Sequence, residues 1–205
     1  MKVVNSYFTT SKKQAASNEI DSNIKTYNEN WYTNTSNLST LASMISTNAG
    51  YCNDRMTTQT KDGGIGFKET KYDSAYRVLD LHKPSYKCTN ESNDLFTLSS
   101  NTYGNKKLSA PVGLITADEL AYAGSNWYQN NFQFYANSGS WYYTLSPFGF
   151  YGGSAMIYVV WDYGGFDDTF SNSGSAGVRP IVALNVRALV MLGDGSINNP
   201  YVISE

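Results

Sequence analysis

An α+β fold is the class this chain predicts, on three observations. Apolar residues at helical spacing occupy the first quarter: Ile20, Ile24, Tyr27 and Trp31, then Leu38, Leu41 and Ile45. A capping box, Thr116-Ala-Asp-Glu119, follows the run Val112–Ile115 and starts a second short helix. Beyond Gly124 short apolar segments alternate with Gly, Ser, Asn and Asp clusters, the pattern of strands and tight turns.

At 205 residues one core is the default, so residues 15–205 read as one domain behind a flexible or linker segment, 1–14. Residues 15–47 form one or two amphipathic helices whose apolar stripes serve the core. From Gly50 to Asn105 the chain is loop-rich, with Asp62-Gly63-Gly64 and Asn101-Thr102-Tyr103-Gly104 as breakers. The capped helix covers Ala117–Ala123. Four strands are expected: Trp141–Leu145, Ala155–Trp161, Val178–Leu184 and Tyr201–Ile203, with a tight turn at Asp194-Gly195-Ser196 before the last.

Aliphatic residues are scarce and aromatic ones abundant: Leu, Ile, Val and Phe number 42, while Tyr, Phe and Trp number 30. With a formal net charge of only −2, the chain still has enough buriable area to fold. The aromatic residues are concentrated, 16 of them between Trp127 and Phe170. Over the same region, from Leu108 to Val178, no Lys or Arg occurs, and Asp118, Glu119, Asp162, Asp167 and Asp168 make it acidic. In Ala155–Trp161 both strand parities are apolar, so a sheet with one core face would expose large side chains on the other. Tyr163, Phe166 and Phe170 follow in what reads as loop. Exposed aromatic rings among Ser, Gly and Asp have the chemistry of a recognition surface: rigid contact area beside adaptable hydrogen bonds.

Several function classes are excluded or weakened. Near-neutral charge gives no electrostatic footprint for nucleic acid, and the longest apolar run, in Ile181–Val190, is too short and interrupted for direct membrane insertion. The opening MKVVNSYFTTSKK lacks the apolar core of a secretion signal, so the chain is either a mature or excised piece or is not exported by that route. His82 is the only histidine and has no evident partner. Asp167 and Asp168 are adjacent, so in a strand they would point to opposite faces rather than act as paired acids. No catalytic residue, metal ligand or cofactor is expected. Cys52 and Cys88 are either two buried thiols or one disulfide; an exported-looking composition favours the bridge, worth about 3–4 kcal/mol in the loop-entropy account.

Four C-terminal segments, PVGLITADELAYAG (Pro111–Gly124), WYYTLSP (Trp141–Pro147), GVRPIVAL (Gly177–Leu184) and GDGSINNPYVI (Gly193–Ile203), read together, resemble a family of Gram-positive bacterial and phage-associated domains. That family is related to the C-type lectin-like and formylglycine-generating-enzyme folds. GYCNDR (Gly50–Arg55) and YKCTNESNDLFT (Tyr86–Thr97) resemble its two cysteine-bearing segments, so the likeness spans roughly residues 17–203. It implies a C-type lectin-like domain with two main helices, short twisted antiparallel sheets and a ligand-binding face over residues 148–176. In relatives that segment can be the variable region of a diversity-generating retroelement, where mutagenised template adenines turn Asn codons into Tyr, Phe, Ser, Asp and Gly.

Phe148, Tyr151, Tyr158, Tyr163, Asp168, Phe170 and Asn172 belong to that set of residue types, whereas Met156 and Trp161 need other codons. With Phe166 these ten residues form the expected ligand-binding set. The implied function is a non-catalytic adhesin-like protein, extracellular, on the cell surface or on a virion, whose partner is a protein or glycan receptor on another cell or surface. An assembly module of a surface or virion appendage is the alternative, and a degenerate enzyme a third. Against the enzymatic relatives, no cysteine pair follows Cys88; against calcium-dependent lectins, only Trp161-Asp162-Tyr163 stands where a WND-like motif would be sought. Arg179 of GVRP is expected to anchor the fold rather than touch ligand.

Overall fold

The computed structural model describes residues 20–60, 70–98, 106–151, 154–172, 176–194, 196 and 198–204. The expected N-terminal segment 1–14, the breakers at 62–64 and 101–104, and Gly195 lie outside them. The α+β class is observed.

The first helix, α1 (Asn23–Asn34), begins where Ser22 accepts a hydrogen bond from the Lys25 amide at 3.1 Å, and it buries Ile24 and Asn28. A short α2 (Ser36–Thr40) and a 3₁₀ turn (Ala42–Met44) follow, so the expected helical region is helical over much of its described part, while its residues 15–19 lie outside the described residues. Strands β1 (Tyr51–Cys52), β2 (Thr57–Thr60) and β3 (Thr70–Tyr72) follow. Next come α3 (Asp73–Ala75), continued as a π-helical turn over Tyr76–Asp80, and α4 (Glu91–Asp94). Strands β4 (Leu95–Thr97) and β5 (Lys106–Lys107) lead to α5 (Ala117–Tyr122). The capping box of α5 forms as the sequence predicts: Glu119 N–H donates to Thr116 Oγ1 at 3.1 Å and Thr116 N–H to Glu119 Oε2 at 2.7 Å.

The main sheet has the order β2-β3-β6-β7-β8, all antiparallel, with β6 (Tyr142–Tyr151), β7 (Ser154–Val160) and β8 (Phe166–Phe170) forming a meander. Two smaller sheets are β1-β4-β5 and the hairpin of β9 (Leu189–Leu192) with β10 (Val202–Ser204). Two expectations fail here. Val178–Leu184 is not a strand but an irregular segment making single bridges, Ile181 to Gly113 and Leu184 to Ile45; Pro180, which has no amide hydrogen, sits inside it. Conversely, Phe166–Phe170, read as loop, is the edge strand β8.

Both faces of the meander are covered, which explains the apolar run Ala155–Trp161. On one face Tyr142, Tyr158, Val160 and Phe166 pack against Ala75, Val78, Ala117, Leu120 and Phe134. On the other Tyr143, Ile157 and Val159 meet Ile24, Leu114, Ala176 and Val178. A register shift between Tyr143 and Pro147 lets β6 carry a proline without losing its partner, and Pro147 O accepts from Ser74 Oγ at 3.0 Å. Gly113 lets the segment before α5 touch the core: a Cβ there would lie 2.2 Å from the Tyr51 ring.

The cysteines are joined, Cys52 to Cys88, with Cα atoms 5.7 Å apart. Within the closed loop, Arg77 bridges two buried carboxylates: its guanidinium is 2.6 Å from Asp54 Oδ2 and 2.7 Å from Asp118 Oδ2. Asp118 also accepts from the Ser85 amide at 2.8 Å. Burial pushes the Asp54 carboxyl above its ordinary value, with Arg77 opposing. Arg77→Met, which keeps the bulk and removes the charge, leaves both carboxylates buried without their cation. The expected loss is about 3–5 kcal/mol, read as a shift of the urea unfolding midpoint; a shift below one fifth of that would show the triad to be marginal.

Candidate functional site

The turn that joins β7 to β8 builds an aromatic and acidic surface. Trp161 N–H donates to Gly165 O at 2.9 Å and Gly164 N–H to Trp161 O at 3.0 Å, closing a tight loop. Gly164 sits at φ +83°, and a Cβ on it would meet Asn131 O at 2.0 Å, so no other residue fits there. The loop is strapped from outside by residues 125–131. Ser125 Oγ donates to Gly164 O, Asn131 N–H to Tyr163 O and Tyr128 N–H to Phe166 O, while Trp127 bridges Phe166 in parallel.

This framing sets three rings in a ladder. Trp141 stacks on Trp161 with centroids 5.0 Å apart and planes at 10°, and Trp161 stacks on Tyr163 at 6.4 Å and 4°. Trp161 Nε1–H donates to Asp167 Oδ2 at 3.1 Å, which fixes the central ring. Tyr128 hydrogen-bonds the same carboxylate, and chiefly for that reason its hydroxyl is pushed up to about 12, so it stays a donor at physiological pH. Asp168 pairs with Tyr158 across the strands, and its carboxyl hydrogen-bonds that of Asp167, so at this sheet edge the two neighbours are brought together rather than separated as strand alternation predicts. Burial first, and the neighbouring Asp167 second, raise Asp168 to about 6. Tyr163 is raised by burial and by Asp167 and Asp162.

The ten expected ligand-binding residues separate into three groups. Trp161, Tyr163 and Asp168 are partly exposed at or near the rim just described. Tyr151, Phe170 and Asn172 are exposed, and Met156 partly so, toward the other end of β7 and β8. Met156 and Trp161 are five residues apart along extended chain, about 17 Å, so these two groups do not converge on one small ligand. Tyr158 and Phe166 are corrected to core: both are fully buried, because the helical layer of Ala75, Val78, Ala117 and Leu120 covers that face. Phe148 belongs with them, partly buried and stacked on Trp127 at 5.3 Å and 7°, with its edge toward Tyr158.

Sequence reasoning missed Tyr128 and Trp141 as parts of the rim, Trp127 as a ring packed on the core at Phe148, Tyr158 and Phe166, and Asp167 as the carboxylate that holds Trp161. The aromatic density was the available signal for the first three; nothing in the sequence showed that residues 125–131 lie along β8. Phe132 and Tyr135, on the same excursion, are 66% and 71% exposed. Arg179 donates to Ala136 O and lies over the Tyr142 ring, the anchoring contact the sequence predicts. Chemically the rim offers flat apolar surface and carboxylate acceptors. Among the described residues no cluster of three His, Cys, Asp or Glu could hold a metal ion, and no helix is long and apolar enough to cross a membrane.

No family model, curated protein or solved structure matches this chain.

The raised Asp168 gives a signed prediction. Its folded form holds a proton up to about pH 6 while the unfolded form releases it near the ordinary carboxyl value of 3.8, so this group costs stability increasingly as pH rises from 4 to 6. Asp168→Asn is expected to melt higher than the parent at pH 7.5, with the gap shrinking as pH falls toward 4. An unchanged gap across that range would contradict the assignment.

Proposed function

We propose that this chain is a non-catalytic recognition domain that binds a receptor through the rim of Tyr128, Trp161, Tyr163 and Asp168, on a C-type lectin-like scaffold. The observation that carries the reading is the ring ladder beside carboxylates in a region without Lys or Arg. Large rings held rigid by Asp167 and by the strap give contact area at low entropic cost. Their acidic neighbours favour a partner presenting Lys or Arg, whose charge gains from both the carboxylates and the ring faces. A protein receptor therefore fits better than a glycan.

The resemblance supplies the rest of the proposal: an adhesin-like protein of a cell surface or virion, with the face over 148–176 open to diversification. The Cys52–Cys88 bridge suits an oxidising compartment. A thiol-dependent reaction, the route of the enzymatic relatives, would first require reduction of that bridge. An imperfect genomic copy of the 148–179 coding region, differing only at adenines and lying near a reverse transcriptase, would support diversification; a genome without one leaves a binder of fixed specificity.

One observation favours the assembly reading as well. The β9–β10 hairpin exposes Leu189, Val190, Met191, Leu192, Tyr201 and Val202, with β9 exposed along its whole length. Sedimentation separates the two: a monomer at micromolar concentration fits display, an obligate oligomer fits assembly.

Arrays of surface proteins and glycans, probed with the parent and with Tyr128→Ser and Tyr163→Ser, test the site. The expected outcome is a protein signal lost at least tenfold in both variants, with the melting temperature changed by less than about 3 °C. Equal signals in parent and variants would remove the rim from the binding surface.

A further inference from the structure

A second site lies on the α1 face of the meander, apart from the rim. A cavity of about 130 Å³ sits between α1 and the sheet, walled mainly by Ile24, Leu108, Val112, Leu114 and Ile157, with the Tyr72 ring alongside. Asn28, on the buried side of α1, contributes a polar group to its lining. Asn28 is 4% exposed and lines the cavity; its amide nitrogen donates to Gly113 O at 3.4 Å, but its Oδ1 is buried with no hydrogen-bond partner. A buried acceptor left empty carries the full cost of its lost hydration, so a bound group that donates to it recovers that loss.

The charges at the border are neutralised among themselves. Lys25 lies 3.1 Å from Asp21 and 2.9 Å from Glu29, and Arg55 lies 3.2 Å from Asp94. An ionic ligand would therefore meet paired charges, whereas an apolar ligand meets apolar walls. The volume is close to that of apolar cavities of about 150 Å³ that accept a single benzene ring in other proteins.

We infer that this cavity is a binding site for a small uncharged aromatic molecule of phenol or indole size, whose single O–H or N–H donates to Asn28 Oδ1. The ring replaces the missing contacts of the apolar walls, and the donor completes the asparagine. Nothing in this assignment depends on the rim or on its partner.

Titration calorimetry and thermal melts of the intact, disulfide-bonded chain test it, with phenol, indole, toluene and indole-3-carboxylate as probes. Indole at 1 mM is expected to raise the melting temperature by about 4 °C, as a ligand of about 0.1 mM affinity would. Toluene should bind at least fivefold more weakly, and indole-3-carboxylate not at all. In Asn28→Leu, which keeps the volume and removes the acceptor, indole should fall to the level of toluene. Methyl NMR of the unmodified chain gives a readout independent of variant folding: Ile24, Val112, Leu114 and Ile157 should shift with indole. Absence of those shifts overturns the site, and indole binding no better than toluene overturns the role of Asn28.

Discussion

The Arg77 guanidinium, held between Asp54 and Asp118, is the contact on which most of the architecture depends. Each carboxylate arrives from a different part of the chain, Asp54 from the loop after β1 and Asp118 from the first turn of α5, while Arg77 sits on the π-helical turn. A buried ion pair of this kind is weak evidence of net stability, because desolvation offsets much of the attraction. Its effect is on geometry. It fixes α5 and the 73–80 segment side by side, and these two lay Ala75, Val78, Ala117 and Leu120 over Tyr158 and Phe166. The positive φ of Asp54, 41°, is the local strain that this arrangement sustains.

With both faces of the meander covered, the proposed receptor contact is left to its ends and outer edge. That constraint decides which aromatic residues can act outwardly. Trp161 is the residue just after β7, where the helical cover ends, so its ring is held by neighbours and not swallowed by them. Tyr158, three residues earlier, has the same chemistry in sequence and none of the access. The proposed recognition surface is thus made of positions where the layers run out, supported from beneath by the rings that the layers enclose.

Much of this was legible in the sequence where the signal is local. The Thr116 capping box, the periodicity of Ile24 and its neighbours, and the β6 and β7 segments all rest on interactions within a few residues. What failed depends on distant packing. Both parities of Ala155–Trp161 are apolar because helices lie on both sides, a fact that alternation alone cannot supply. Phe166–Phe170 reads as loop since Asp167 and Asp168 depress strand propensity; its place is set by pairing with Met156–Val160 and by the strap from Trp127. The rim was partly visible as aromatic density, but the sharing of Asp167 between Trp161 and Tyr128 joins residues about forty positions apart and left no mark in the sequence.

The strand order carries a kinetic consequence. Strands β6, β7 and β8 pair through short connections, whereas β3 reaches β6 through Thr70 and Phe150, about eighty residues away along the chain. Closing the short loops costs far less chain entropy than closing the long one. We expect the meander to assemble first and to serve as the template on which β3, with the covalent loop that encloses it, docks later. Pulse-labelled hydrogen exchange would register this as protection of the Val159 amide before that of Lys71, and simultaneous protection would show that the long loop closes within the first event.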